Sequence, residues 1–501
     1  MKRKWRIGSA VALGAFAAAL AVGSFASARA DELSDLQANV KILQKRVDQL
    51  SAAEARAGGP GPGSLAGSFP RSFLIPGTNT SLRVGGYVKF DAFWWLNGGP
   101  ANGNMQAPVG VENGQALLAP LDLHGQTLGG VTFTPANNGF AHSRGNGVVQ
   151  FTGRESRMFV ETRTPTAWGP AITHFEFDWL GCNNLSCNNL DNVSNNYLPR
   201  LRLAYGTLGP VLAGQDWGVT NDLEAGPESI DFGGPLGEMG KVRIPQIRYT
   251  WKGAYGISAA ADLEEPHTTA FTPVGQVESD SSVAFVDGVG TPLAVNPTKA
   301  TWPVVGGYTQ WNQPWGHLRL QAVLVPMYFQ DGRFISREYL GYGGGFAGNV
   351  RPAWFGWVKD NITFQFEAGE GMGDWLNGFD HSSLATNYTA PSTSVAEAAL
   401  IHVTTVTNWG GVVGYEHWWA PNIRSTAFYG IDHQDVPIDL VGPVQAMLAI
   451  NKDVEDAGVN LIWQPVSFVN TGIEYDWAQR TTVGGAKGSE NILEYEFQVL
   501  F

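Results

Sequence analysis

Strand after strand in this chain alternates an apolar side chain with a polar or ionised one. Over residues 82–92, Leu82, Val84, Val88, Phe90 and Ala92 interleave with Arg83, Gly85, Tyr87, Lys89 and Asp91. Phe175, Phe177 and Trp179 interleave with His174, Glu176 and Asp178, and Leu318, Leu320, Ala322 and Leu324 with His317, Arg319 and Gln321. Ile473, Tyr475 and Trp477 alternate with Glu474 and Asp476, and the chain ends on Leu493, Tyr495, Phe497, Val499 and Phe501 against Glu494, Glu496 and Gln498. A period of two sends each set to one face of a strand. A soluble sandwich shares that period. Full charges at mid-strand, repeated along the chain, fit better a barrel whose apolar face meets lipid and whose charged face meets a wet interior.

The connections support closure. Short ones lie near Thr164–Pro170, Thr207–Pro210, Gly253–Tyr255, Gln313–Gly316, Lys359–Asn361, Ala420–Asn422 and Gln464–Val466. Long ones cover roughly 96–146, 181–198, 219–242, 266–299, 331–350, 373–398, 434–452 and 481–487. Seven short and eight long connections imply about sixteen strands, with short turns on one rim and long loops on the other. The predicted fold class is all-β: a 16-stranded antiparallel transmembrane β-barrel with a short N-terminal α-helical coiled coil. Trp168, Tyr205, Trp251, Trp311, Trp315, Trp357, Trp419 and Trp463 stand beside the short turns, as an interfacial aromatic girdle does. Carbohydrate stacking is the rival use of so much Trp, but a sugar site gathers its rings in one cleft. Charged residues make up 15% of the chain and mean hydropathy is −0.10, so repeated apolar spans of about 20 residues are lacking and a polytopic helical protein is excluded. A formal charge of −13 excludes a basic nucleic-acid binder.

Residues 1–30 have the form of a signal peptide. Lys2, Arg3, Lys4 and Arg6 precede an apolar run, and Ala28-Arg29-Ala30 is a small-x-small cleavage site. A membrane anchor is the alternative. Removal of the leader takes away five basic and no acidic residues and leaves a charge of −18. In 31–57, Leu33, Leu36, Val40, Leu43, Val47 and Leu50 sit at heptad spacing, which predicts a periplasmic coiled-coil helix. An amphipathic helix packed on its own chain has the same pattern. Residues 58–80 form a Gly/Pro-rich tether and barrel entry, and 81–501 the barrel. After export, Cys182 and Cys187 are close enough in sequence to pair as a disulfide at a loop tip, whereas no nearby His or Cys completes a metal site.

Four stretches carry a family resemblance: IPGTNTSLRVGGYVKF (75–90), FTGRESRMFVETRTPT (151–166), ESIDFGG (228–234) and RIPQIRYT (243–250). Together with the order signal peptide, coiled coil, tether and barrel, they resemble the DcaP-like outer-membrane porins. That resemblance implies a trimeric 16-stranded channel in the bacterial outer membrane, in contact with lipid and lipopolysaccharide, that passes small organic anions such as dicarboxylates.

Strand parity points Arg157, Arg163, Arg200, Arg202, Arg248, Arg319 and Arg424 inward, along with Glu161, Glu176, Asp178, Glu367, Glu474 and Asp476. The expected anion-attracting wall is Arg157, Arg202, Arg243, Arg248, Arg319 and Arg424, because guanidinium forks match carboxylates. The loop after the fifth strand holds Asp222, Glu224, Glu228 and Asp231. Folded inward, it would set these acids opposite the arginines across a constriction. A general or sugar-selective porin is the competing channel reading, and a secreted β-rich carbohydrate-binding protein or enzyme the competing class. No nucleophile elbow, H-E-x-x-H or phosphate loop is present, so neither an enzyme nor a cofactor is expected.

Overall fold

The structure is a computed structural model of the chain. It describes residues 66–97, 121–122, 127–128, 131–132, 148–181, 198–238, 243–273, 275–278, 283–286, 292–295, 297–298, 300–375, 383–389, 392–448 and 450–501. The expected leader, the coiled coil, residues 58–65 of the tether, and Cys182 and Cys187 lie outside the described residues. Among the described residues no helix is long and apolar enough to cross a membrane.

Sixteen antiparallel strands form a closed barrel. They are β1 (Ser81–Asn97), β2 (Val148–Thr152 and Arg157–Thr166, interrupted at 153–156), β3 (Gly169–Asp178), β4 (Arg200–Leu208), β5 (Val211–Trp217), β6 (Arg243–Lys252), β7 (Ile257–Glu264) and β8 (Val304–Gln313). Then come β9 (Gly316–Gln330), β10 (Ser336–Val350), β11 (Asn361–Glu370), β12 (Thr407–Ala420), β13 (Ile423–Asp435), β14 (Asn451–Val466), β15 (Val469–Thr482) and β16 (Lys487–Leu500). β16 returns to β1, in register from Tyr87↔Leu500 to Trp95↔Ile492 and, past a bulge, with Asn97 opposite Asn491. Closure leaves no edge whose backbone groups would go unpaired in lipid. The two faces follow the sequence alternation. On β1, Val88, Phe90, Trp94 and Leu96 are exposed outward while Lys89, Asp91, Phe93 and Trp95 are buried inside.

At the short-turn rim, two-residue turns occupy 167–168, 209–210, 314–315, 421–422 and 467–468. Trp168, Trp251, Trp311, Trp357, Trp419 and Trp463 are exposed there. Tyr205 departs from the expected girdle: its ring stacks on His174 at 5.3 Å, and His174 lies on the charged face beside Glu161 and Glu176.

Two expected long loops are short. Residues 331–350 are not a loop: a five-residue turn, 331–335, leads straight into β10. The Gly-rich run inside β10 has no side-chain alternation to read, and it leaves room for Met372, whose Sδ would lie 2.0 Å from a Cβ at Gly343. The short connection expected at Lys359–Asn361 is instead 351–360, with a 3-10 turn at Trp354–Gly356. Only four residues, 483–486, link β15 to β16.

Other loops build structure of their own. Thr269–Thr272, Gly275–Glu278, Leu384–Thr386 and Val403–Thr405 make a four-stranded sheet. A helix at Ile438–Leu448, kinked at Gly442, contributes Val441 and Ala446 to a buried cluster with Phe271, Ala385 and Val406. A separate small unit comprises the described residues up to Arg83 with Thr162–Pro165. In it Phe73–Leu74 pairs with Ser81–Leu82, and Arg163 lies 4.3 Å over the Phe69 ring.

Candidate functional site

The segment between β5 and β6 does not stay at the rim. Residues 219–238 run inside the barrel and lie on glycines of the inner wall. A Cβ at Gly306 (β8) would stand 2.4 Å from Val219 Cγ1, and one at Gly414 (β12) 2.6 Å from Pro227. One at Gly472 (β15) would stand 2.8 Å from Ile230 Cδ1, and one at Gly430 (β13) 2.3 Å from the Leu236 carbonyl. The wall accommodates the loop because these positions have no side chain. The loop returns the fit at Gly237, where φ is +73° and a Cβ would lie 2.2 Å from the Gly411 carbonyl oxygen.

Inward carboxylates then receive the loop's backbone. Glu474 accepts the Ser229 hydroxyl (2.6 Å), the Ile230 and Asp231 amides (3.0 and 3.1 Å) and Asn460 Nδ2 (2.8 Å). Asp456 accepts the Leu236 amide at 3.0 Å, and Asp432 the Gly237 amide at 3.1 Å. Lys89 donates to the Ile230 carbonyl at 2.7 Å and is paired with Glu155 at 2.5 Å and Asp91 at 3.0 Å. Hydrogen bonds to an ionised acceptor contribute about 1.5–3 kcal/mol each, so the set outweighs much of the entropy of fixing a buried irregular segment.

The expected loop acids do not face arginines across a gap. Glu228 forms a two-pronged pair with Arg424, with both contacts at 2.5 Å. Asp222 meets His317 Nε2 at 2.7 Å and comes within 3.9 Å of Arg319. Arg319 donates to the Asn221 carbonyl at 3.0 Å and to that of Val219, and lies 3.7 Å over the Tyr308 ring. Glu224 is exposed, 3.7 Å from His317 Nδ1, and Asp231 accepts the Gly233 amide at 2.7 Å. Where burial removes water from charged groups, as at Asp222, His317 and Arg319, opposite charges within reach attract more strongly and close the distance. Arg319 and Arg424 therefore hold the loop.

The other four expected arginines gather on the opposite side, on β2, β4 and β6, together with Arg200. Arg202 pairs with Glu176 (2.8 Å) and Asp178 (3.0 Å), and Arg200 with Asp178 (2.6 Å). Arg157 is 3.5 Å from Glu176. Arg248 is 3.5 Å from Asp216 and is steadied by Gln246 Oε1 and the Trp217 carbonyl. Arg243 heads β6 on the alternate parity from Arg248 yet joins the group: its guanidinium lies 4.7 Å from the ring of Trp217, a ring that Arg202 also approaches, at 5.9 Å. Phe232 of the loop places its ring 5.3 Å from Arg157 and 5.0 Å from Arg202.

The two walls differ in access. Side chains of Arg157, Arg200 and Arg248 keep 23, 33 and 16% exposure, whereas Arg202 behind them is buried at 4%. Asp432, Asp456, Glu474, Asp476, Glu490 and Glu494 keep at most 1%. Sequence reasoning did not single out Lys89, Asp432 and Asp456 as loop anchors. Strand parity would have set all three inside, but nothing in the sequence ties them to a segment as far away as residue 236.

A family profile described as a porin subfamily matches residues 71–498. The chain belongs to the porin family. A porin is a channel rather than an enzyme, and its place is the bacterial outer membrane. Among solved structures, the outer membrane channel DcaP of Acinetobacter baumannii aligns with this porin at a TM-score of 0.59 and 17% identity, over 84% of this chain and 97% of that one. OprB of Pseudomonas putida aligns at 0.46 and 9%, over 84 and 94% of the two chains, and OmpT of Vibrio cholerae at 0.44 and 9%, over 84 and 98%. The likeness to DcaP is one of fold. No curated protein sequence matches the chain.

Proposed function

We propose that this porin is a passive diffusion channel for small hydrophilic solutes that favours organic anions, dicarboxylates among them. In this reading Arg157, Arg202, Arg243 and Arg248 attract the solute, and the chain works as a homotrimer in contact with outer-membrane lipid and lipopolysaccharide after export through the periplasm and loss of residues 1–30. The observation that carries it is the contrast in access: the loop covers the carboxylate wall and leaves the guanidinium groups of Arg157, Arg200 and Arg248 reachable, with the buried Arg202 adding its charge behind them. A charged lining in a low-dielectric wall selects by sign. The rings of Phe232 and Trp217 lie against these guanidinium groups, which suits a carboxylate attached to an apolar body. Several arginines side by side offer successive weak sites, which passage requires.

Reversal potentials across a planar bilayer in a salt gradient test this. Wild type is expected to prefer anions. Replacing Arg157 and Arg243 by Ala lowers the anion-to-cation permeability ratio about fivefold, the equivalent of roughly 1 kcal/mol. Cation preference in wild type, or an unchanged ratio in the double variant, would overturn the proposal.

A further inference from the structure

Beneath the docked loop, β15 and β16 set acids against one another. Glu474 and Glu494 are directly opposite in register, and Asp476 follows two residues on along the same inner face. Like charges facing across a strand pair are destabilising unless something between them compensates. Their ligand oxygens all lie within 4.8 Å of one another, and each residue is at most 1% exposed. Asp231, Asp456 and Glu490 add their charges around Asp476. The nearby cation, Lys89, is bonded to Glu155 and Asp91.

A second observation is independent of this crowding. Both carboxylate oxygens of Asp476, buried and turned into the group, have no hydrogen-bond partner, and neither does Glu494 Oε1. The neighbouring wall makes room for that carboxylate: a Cβ at Gly458 would lie 2.3 Å from Asp476 Oδ1. Three orphan oxygens and no nitrogen or sulfur donor describe a site for a hard cation.

We infer that Glu474, Asp476 and Glu494 bind one calcium ion, and that this ion latches the constriction loop. Asp476 supplies two free oxygens, Glu494 one, and Glu474 links the ion to the loop through Ser229, Ile230 and Asp231. The ion neutralises the facing carboxylates and fixes the residue that holds the loop. This is separate from anion preference and stands whichever solute passes.

The test uses the full mature chain refolded in detergent free of lipopolysaccharide, stripped with EDTA and given calcium. Equilibrium dialysis with metal analysis is expected to show one bound calcium per chain that Asp476→Asn removes. The unfolding midpoint of wild type rises with calcium, whereas that of Asp476→Asn does not move. EDTA is expected to increase open-channel current noise in wild type, and calcium to reverse it. If Asp476→Asn does not fold, Glu494→Gln takes its place. Calcium retained equally by wild type and variant, or a wild-type midpoint and noise indifferent to calcium, would overturn the inference. So would a variant more stable than wild type in both conditions, since protons would then be balancing the acids.

Discussion

Replacing Gly430 by Ala adds one methyl group to the barrel wall under the loop. The new Cβ would stand 2.3 Å from the Leu236 carbonyl oxygen and 2.6 Å from Asp456 Oδ1, where ordinary contact begins near 3.4 Å. The loop must retreat by about 1 Å to restore ordinary packing. The Leu236 and Gly237 amides, now 3.0 and 3.1 Å from Asp456 and Asp432, would then lie about 4 Å away, outside hydrogen-bond range. Losing one or both of these charge-assisted bonds costs about 2–5 kcal/mol. At about 1.4 kcal/mol per factor of ten, the ratio of docked to undocked loop falls between roughly 30-fold and a few thousandfold. Single-channel recording reads this as higher mean conductance and more open-channel noise. Gly206→Ala is the matched control, because its Cβ would meet nothing nearer than the Ile172 carbonyl oxygen at 3.6 Å. Heat-modifiable migration on gels checks that both barrels are intact. If Gly430→Ala conducts as wild type does, with the same noise, the loop is not seated on the wall as described.

Other expectations follow from the same contacts. Arg424→Met leaves Glu228 without its partner, and because Glu228 keeps 35% exposure the loss should be about 2 kcal/mol rather than the roughly 3–5 kcal/mol of a fully buried pair. Denaturant unfolding of Arg424→Met, Glu228→Gln and the double variant gives the coupling, and a value near zero would show that the pair holds nothing. At the 331–335 turn, burial raises the Asp331 pKa, but amides of Ile335, Arg333, Phe334 and Ser392 outweigh it and hold the carboxyl below its usual 3.8. A folded value below the unfolded one means that this stabilisation is full above about pH 4 and is lost as pH falls through the lowered folded value. Hydrogen exchange at residues 333–335, corrected for intrinsic rates, should therefore be faster in Asp331→Asn at pH 7 and equal to wild type in strong acid. A difference that persists there would exclude the charge as its cause.

The barrel was legible because lipid and water impose opposite demands on alternate residues, and β1, β3, β9, β15 and β16 record those demands directly. β10 was not, since Gly341, Gly343, Gly344 and Gly345 leave no alternation to read, and its true start at Ser336 was concealed within an apparent loop. Tyr205 was misplaced because proximity to a turn says nothing about face, whereas its cross-strand partner His174 settles the matter. At the site, the inward arginines followed from parity, but their division of labour did not. Whether Arg424 faces the channel or holds Glu228 depends on where a loop some two hundred residues earlier comes to rest. That resting place depends in turn on Gly306, Gly414, Gly430 and Gly472, residues whose contribution is an absence of atoms and which no local pattern connects to positions 219–238.

The inner ridge rests main chain on main chain at Gly430 and at Gly237, but over Gly306, Gly414 and Gly472 its distance from the wall is set by the side chains of Val219, Pro227 and Ile230. Lineages that keep those three side chains, and the bare glycines beneath them, keep the ridge at one depth whatever else varies along it.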